Sequence, residues 1–286
     1  MPIFVGPDEL LGGELKVGGT DVKEVYVGGA LVWSNTPAGQ ALITTQGQTQ
    51  WVCPAGVTSI SVCAIGAGGR SFWFSGAGTA SGGGGLGWKN NILVVPGNSY
   101  TVQVGAAGGN SQELRGSWFI NKTTVAGLSA YNTNVGGGYV GDGGGNGGNG
   151  AGNDATNFYR NGGGGGGAGG YTGNGGTGGS VGNNGAAGSG GGGGGGGGNE
   201  PVGNGSGGGG GGTGINGVGS NGAGGLANAF GGLPGGKGSP DDSPAGSQFY
   251  GGGARGVYES AVSGTQGAVR IIWGTGRSYP SNAADV

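Results

Sequence analysis

Glycine occupies every third position without a break at Gly164, Gly167, Gly170, Gly173, Gly176, Gly179, Gly182, Gly185, Gly188, Gly191, Gly194 and Gly197. Many of the positions between are glycine as well, as in 162–167 and 190–198. A period of three fits neither the 3.6-residue α-helix nor the two-residue β-strand. It fits the left-handed extended helix with three residues per turn, which proline adopts alone and glycine can adopt in bundles. Glycine fills 90 of 286 positions, against about 7% in an average protein, so this period governs much of the chain.

Such a tract is either a flexible linker or a folded scaffold. Ordering a glycine costs about 0.5–1 kcal/mol more than ordering an alanine. A peptide hydrogen bond contributes a net of about 0.5–1.5 kcal/mol in return. The terms are comparable, so a lone strand of this helix, which has no internal hydrogen bonds, stays disordered. A bundle differs, because bare backbones approach closely enough to bond N–H to C=O between neighbours, with weak Cα–H···O contacts besides. On energy alone both readings stand.

In a bundle the period assigns places. An all-glycine piece such as 190–198 suits the interior, surrounded on all sides. In 171–188 one edge in three is bare, while the others carry Tyr171, Thr172, Asn174, Thr177, Ser180, Val181, Asn183 and Asn184. That piece suits an outer layer with one face inward. A nine-residue run spans about 28 Å at about 3.1 Å per residue. Collagen is excluded, because the period is local and the chain has only 10 prolines.

Apolar residues concentrate in the first 130 or so positions and the last 20. Short β-prone runs at 14–17, 22–27 and 30–33 alternate with Gly-Gly turns, a hairpin or meander signal. Further strands are expected at 41–45, 49–53, 59–65, 92–95, 100–104, 118–119 and 125–128. One more, 268–273, is expected to return to this β region and anchor the far side of the glycine tract. The aromatic clusters Phe72-Trp73-Phe74 and Trp118-Phe119 read first as core or interface packing. The expected organisation is hairpins over 1–40, a β-rich region over 41–135 joined by the strand at 267–274, and a glycine-rich region over 136–262.

The chemistry is narrow. With no histidine, the chain lacks the usual base of Ser/His/Asp and Cys/His sites and the commonest metal ligand. A net charge of −2, with 8% charged residues and no basic stripe, argues against nucleic acid and anionic membrane. No run approaches the roughly 20 apolar residues of a membrane span. The start lacks the basic end and apolar stretch of a secretory signal, which predicts synthesis in a cytosol. Cys53 and Cys63 read as a disulfide, a nucleophile or two small buried apolar residues. The segment 231–237 fits G-x-x-x-x-G-K, but Gly238 stands where Ser or Thr should be and no strand leads in. Asp241-Asp242 is the one adjacent carboxylate pair and reads as a solvated loop. No catalysis, cofactor or metal is expected.

The glycine-dense pieces are interrupted by short segments that carry everything else. Asn157, Phe158, Tyr159, Arg160, Phe230, Leu233, Asp241, Asp242, Phe249, Tyr250, Arg255 and Tyr258 place aromatic and charged groups in or beside such interruptions. Tyr and Arg are the residues in which interfaces concentrate their energy. The alternative is that these aromatics fold back to cover the bundle.

Three segments carry a family resemblance. They are the strand–turn pattern of 25–33, the module of 51–62 beginning Trp51-Val52-Cys53-Pro54, and the ending 267–274 with Gly276-Arg277-Ser278-Tyr279-Pro280. Together with the alternation of glycine motifs and variable segments, the chain resembles the receptor-binding adhesins at the long-tail-fibre tips of T-even-type bacteriophages. The resemblance implies a mostly β attachment region plus a polyglycine-II sandwich with loops and almost no α-helix. It implies a virion protein, one copy per fibre tip, seated on a trimeric long-tail-fibre protein. Attachment would use the N-terminal hairpins, with Leu10, Leu11, Val25, Tyr26, Val27, Leu31, Val32 and Trp33 as candidates. Loops at the far end would bind an outer-membrane protein or lipopolysaccharide of a Gram-negative host. The competing class is a glycine-rich structural or ice-binding protein, in which a flat regular outer face such as 171–188 would be the working element.

Overall fold

The computed structural model describes residues 4–5, 8–9, 16–17, 20–22, 24–27, 30–34, 37–74, 77–107, 116–130, 134–152, 162–199, 205–228, 231–239, 249–257 and 261–286. Among these the chain forms β-strands and extended glycine-rich runs, and no helix. Three two-stranded antiparallel ladders come first: β1 (Phe4–Val5) with β2 (Asp8–Glu9), β3 (Lys16–Val17) with β4 (Thr20–Asp21), and β5 (Glu24–Val27) with β6 (Ala30–Ser34). Val27 pairs with Ala30, so only Gly28 and Gly29 separate β5 from β6, the spacing of a two-residue hairpin.

The strands that follow are β7 (Gly39–Ile43), β8 (Gly47–Val52), β9 (Ser59–Ile65), β10 (Phe72–Phe74), β11 (Ala77–Thr79), β12 (Leu86–Leu93) and β13 (Ser99–Val104). After them come β14 (Ser117–Phe119), β15 (Val125–Gly127), β16 (Tyr139–Val140), β17 (Gly143–Gly145) and β18 (Ala268–Trp273). Apart from the β10–β11 hairpin they form two five-stranded antiparallel sheets, ordered β17-β12-β9-β18-β7 and β16-β15-β14-β13-β8. As expected, β18 returns after the glycine tract and lies between β9 and β7. The longest departure from the expected strands is β12, which begins at Leu86 rather than Ile92. Its alternation is interrupted by Gly87 and by a register shift between Lys89 and Ile92, where Asn91 takes a left-handed φ of 55°.

The two sheets enclose a core that includes Trp51, Ile60, Val62, Val102, Val104, Phe119, Val125, Val269 and Ile271. On β9, Cys63 and Ile65 face the other way and are buried too, beside Leu86, Ala268 and Ile272. A strand covered on both faces reads as an unbroken apolar run, as 62–65 does. The second cover comes from far along the chain: Tyr171, Ile215, Tyr250, Tyr279 and Ala283. Tyr171 is therefore not on an outer edge of the bundle, as the period alone suggested. It is fully buried, stacked on Tyr279 with ring centroids 5.7 Å apart, and its hydroxyl donates to the Gly214 carbonyl at 3.1 Å. Both cysteines are buried and free. They sit in the two different cores, Cys53 in the first and Cys63 in the second, which excludes the disulfide reading.

One charged side chain ties these layers together. Arg270, on β18, is 1% exposed. Its guanidinium donates to the carbonyls of Ile215 and Ala283, to Gln40 Oε1 at 2.7 Å and to Asp285 Oδ1 at 2.8 Å. The planar fork thus satisfies a glycine-tract reversal, the first strand of the sheet and the C-terminal segment at once.

The glycine tract is a bundle. Run 162–170 shows its rule. The N–H groups of Gly162, Gly165 and Ala168 donate to Gly205, Gly208 and Gly211; those of Gly166 and Gly169 to Ser81 and Gly84; those of Gly164, Gly167 and Gly170 to Gly179, Gly176 and Gly173. The carbonyls point the other three ways. Gly162, Gly165 and Ala168 accept from Asn199, Gly196 and Gly193; Gly163 and Gly166 from Gly256 and Gly253; Gly164 and Gly167 from Ala151 and Gly148. Each step along the chain turns the peptide by a third of a circle, which is the three-per-turn extended helix, and six neighbours encircle the run. Run 192–199 is encircled in the same way by 162–168, 176–182, 183–186, 208–211, 222–225 and 233–236. The expected interior piece is real but starts two residues later, since Gly190 and Gly191 take φ of 54° and 80° in the reversal before it. In 171–188 the bare edge faces inward in part: Gly176, Gly179 and Gly188 are buried and Gly173 and Gly185 half-buried, but Gly182 is exposed at a reversal; Asn174, Thr177 and Ser180 are exposed.

Candidate functional site

The runs have two ends, and the chain reverses at them in alternation. At the end beside the sheets the reversals are 171–172, 189–191 and 214–218, held down by Tyr171 and Ile215 in the second core. The opposite, far end is knitted by the run termini themselves. Gly162 donates to Gly205 at 3.0 Å, Asn199 to Gly162 at 3.1 Å and Gly207 to Gly256 at 2.9 Å, and Asn199 forms a bridge to Asn228. The reversal at 180–183 is at this end too, since Gly182 donates to the Asn199 carbonyl at 2.7 Å. The run ends that meet here are those joined by 153–161, 200–204, 229–230 and 258–260.

This topology divides the residues singled out in the sequence. Asn157, Phe158, Tyr159, Arg160, Phe230 and Tyr258 lie outside the described residues, and the residues that flank them belong to the far end. Leu233, 45% exposed, stands on a run close to that end. Arg255 is exposed and adjacent to Gly256. Sequence reasoning missed Leu226, which is 56% exposed and accepts the Leu233 N–H at 2.9 Å, so the two leucines stand side by side on neighbouring runs. The available signal was two leucines seven residues apart in a tract otherwise nearly free of large apolar groups.

The remaining candidates are flanked by, or stand on, run ends at the sheet end. Asp241 and Asp242 lie outside the described residues, and the run ends that flank them are beside the sheets: Ser239 Oγ donates to the Gly191 carbonyl at 2.9 Å, and Tyr250 pairs with Thr213. Phe249 is half-buried with Lys237 Nζ 4.3 Å above its ring. Tyr250 is 3% exposed and part of the second core. It therefore leaves the list of contact residues, because its ring covers the outer face of the β9–β18 sheet. This is the outcome in which a loop aromatic folds back.

Of the N-terminal candidates, Leu10 and Leu11 lie outside the described residues. Val25, Tyr26 and Val27 are on β5, and Leu31, Val32 and Trp33 on β6, with Val25 opposite Trp33 and Tyr26 opposite Leu31. The chain then enters the sheets at Gly39, which pairs with Trp273, the last residue of β18. That strand runs away from the glycine bundle, so the entry point and the far end are opposite poles.

Among the described residues, no group of three His, Cys, Asp or Glu side chains is placed to hold a metal, and no helix is long and apolar enough to cross a membrane. Burial pushes the Cys63 thiol up to about 12, partly offset by its contact with the Tyr171 hydroxyl and by the Arg270 charge. A thiol held neutral in this way is a packing group, which removes the nucleophile reading for Cys63. Comparison of the sequence with protein families and with curated proteins gives no match.

Proposed function

We propose that this chain is a receptor-binding adhesin of the T-even-type long-tail-fibre kind, recognising a Gram-negative outer-membrane protein or lipopolysaccharide with the far end of its glycine bundle. The single observation that carries the reading is the two-pole topology. The chain enters the sheets at one pole, and the glycine-free segments 153–161, 229–230 and 258–260 connect run ends at the other. A scaffold held mainly by bonds between backbones makes few demands on the sequence of those connections, as a recognition surface requires. The N-terminal hairpins would seat one copy on a trimeric fibre protein, and the assembled virion would be its working location. No reaction is assigned to it.

The test compares two sets of replacements in the full chain. Replacing 153–161, 229–230 and 258–260 by Gly-Ser segments of equal length is expected to abolish binding of the labelled protein to a susceptible Gram-negative strain. The same replacement of 240–248, which joins two run ends beside the sheets, is expected to leave binding intact. Binding that survives the first set, or disappears with the second alone, overturns the assignment of the far end.

A further inference from the structure

A run on the outside of the bundle lacks neighbours on one side, so some of its N–H groups face outward with no carbonyl to receive them. Asparagine repairs this edge. Asn149 Oδ1 accepts the Gly136 N–H at 3.0 Å and Asn174 Oδ1 accepts the Asn146 N–H at 2.9 Å. Asn184 and Asn221 do the same for Ala227 and Gly191, at 2.8 and 3.0 Å. A carboxamide has one accepting and one donating side. With the oxygen committed inward, the NH₂ of the exposed Asn149 and Asn174 is left without a hydrogen-bond partner among the described residues.

Asn149 and Asn174 line the same trough. It has a volume of about 360 Å³ and is walled also by Val135, Asn146 and Thr177, with no charged residue in its lining. Gly147 and Gly175 line it too, and among the described residues no backbone N–H donates to either carbonyl. Gly138 stands in the trough as well, and a Cβ placed there would meet nothing nearer than 3.8 Å. Packing therefore does not demand glycine at 138, as it does along the interior runs. The trough thus presents donors and acceptors side by side, fixed in place by the lattice behind them.

We propose that this trough is a binding site for a neutral glycan chain, on the side of the bundle and separate from the far-end connections. A hydroxyl donates and accepts at once, so a row of hydroxyls is the ligand that uses both the Asn149 and Asn174 amides and the Gly147 and Gly175 carbonyls. The uncharged lining disfavours phosphorylated or carboxylated ligands, which would lose their water without gaining an opposite charge. Along each run equivalent positions repeat every three residues, about 9 Å. Asn146 with Asn149, and Asn174 with Thr177, therefore repeat the same chemistry in the direction a linear chain would lie. The asparagines are already held by their backbone bonds, so little side-chain freedom is lost on binding.

The test uses the full chain on an array of neutral bacterial oligosaccharides, with two variants chosen to leave the lattice standing. N149D/N174D keeps the inward acceptor and removes the outward donors. Gly138→Val fills the trough where the structure leaves room. Each is expected to lower retention at least about tenfold, with the thermal unfolding midpoint unchanged to within a few degrees. Failure of the parent chain to retain any glycan overturns the proposal, as does equal retention by both variants. Thermal hysteresis without glycan retention would assign the same face to ice and also overturn it. The far-end Gly-Ser replacements, run in parallel, separate this site from the adhesin reading. They should keep glycan retention, and its loss with them would place the glycan at the far end instead.

Discussion

Cys63 illustrates how much of a residue's character is set by partners that its own neighbourhood in the sequence does not contain. Its thiol lies 3.6 Å from the hydroxyl of Tyr171, 108 positions away, and shares a core with Tyr279 and Ile215. No periodicity around position 63 or 171 reports that meeting, so the sequence supported three readings for the cysteine and placed Tyr171 on an edge. Burial raises the thiol from an ordinary 9.0 to about 12, and burial likewise raises the Tyr171 phenol well above its usual value. Both groups stay protonated in the folded chain and ionise more readily when it unfolds. Their contribution to stability is full below about pH 9 and is lost as pH rises from there toward 12, at up to about 1.4 kcal/mol per pH unit for each group. The thermal midpoint is expected to fall steadily above pH 9, and a flat midpoint from pH 8 to pH 11 would contradict the buried pair. At pH 8 the native protein should not react with a thiol reagent at Cys63, and should do so on unfolding.

For the elements, the two kinds of segment differed in how openly the sequence declared them. Strands with continuous or alternating apolar residues, such as β9 and β18, were legible to within a residue. β12 was not, because its bulge and Gly87 break the alternation over the stretch that pairs with both β9 and β17. The glycine runs declared their period and their inner and outer edges, but not which run neighbours which, because a glycine carries no side chain to specify a partner. Burial of backbone against backbone makes a sharp prediction here. A Cβ on Gly195 would lie 2.0 Å from the Thr177 carbonyl oxygen, and one on Gly209 would lie 3.8 Å from its nearest neighbour, the Gly253 oxygen. Gly195→Ala is expected to cost about 3 kcal/mol or more, at the upper end of overpacking effects, because a carbonyl of the lattice itself must move. Gly209→Ala should be neutral or stabilising by about 0.4–1 kcal/mol, through the reduced freedom of the unfolded chain. Chemical denaturation of the two variants against the parent checks the contrast. Equal destabilisation would mean that glycine is needed at 209 for a reason other than space.

At the scale of the whole molecule, contacts are overwhelmingly between distant parts of the chain. Run 162–170 alone touches segments from Ser81 to Gly256. The sequence predicted the two β-rich ends and the return of the last strand, and the resemblance supplied the sandwich. The division of the candidate residues between two poles emerged only from the direction of each run. The three-per-turn helix also gives the molecule something akin to a reading frame. In run 173–179, Asn174 and Thr177 face water while Gly176 and Gly179 face the lattice, and that assignment depends only on position counted in threes. Adding one residue after Asn174 turns every later side chain through a third of a circle and drives Thr177 toward carbonyls that leave no room for a Cβ. Adding three restores the facing and merely lengthens the run by about 9 Å. A one-glycine insertion at that point should therefore unfold the protein at a lower temperature than an insertion of Gly-Gly-Asn, although the second adds three times as much chain. Insertions and deletions in the runs are expected to be tolerated best in multiples of three residues, as they are in a gene.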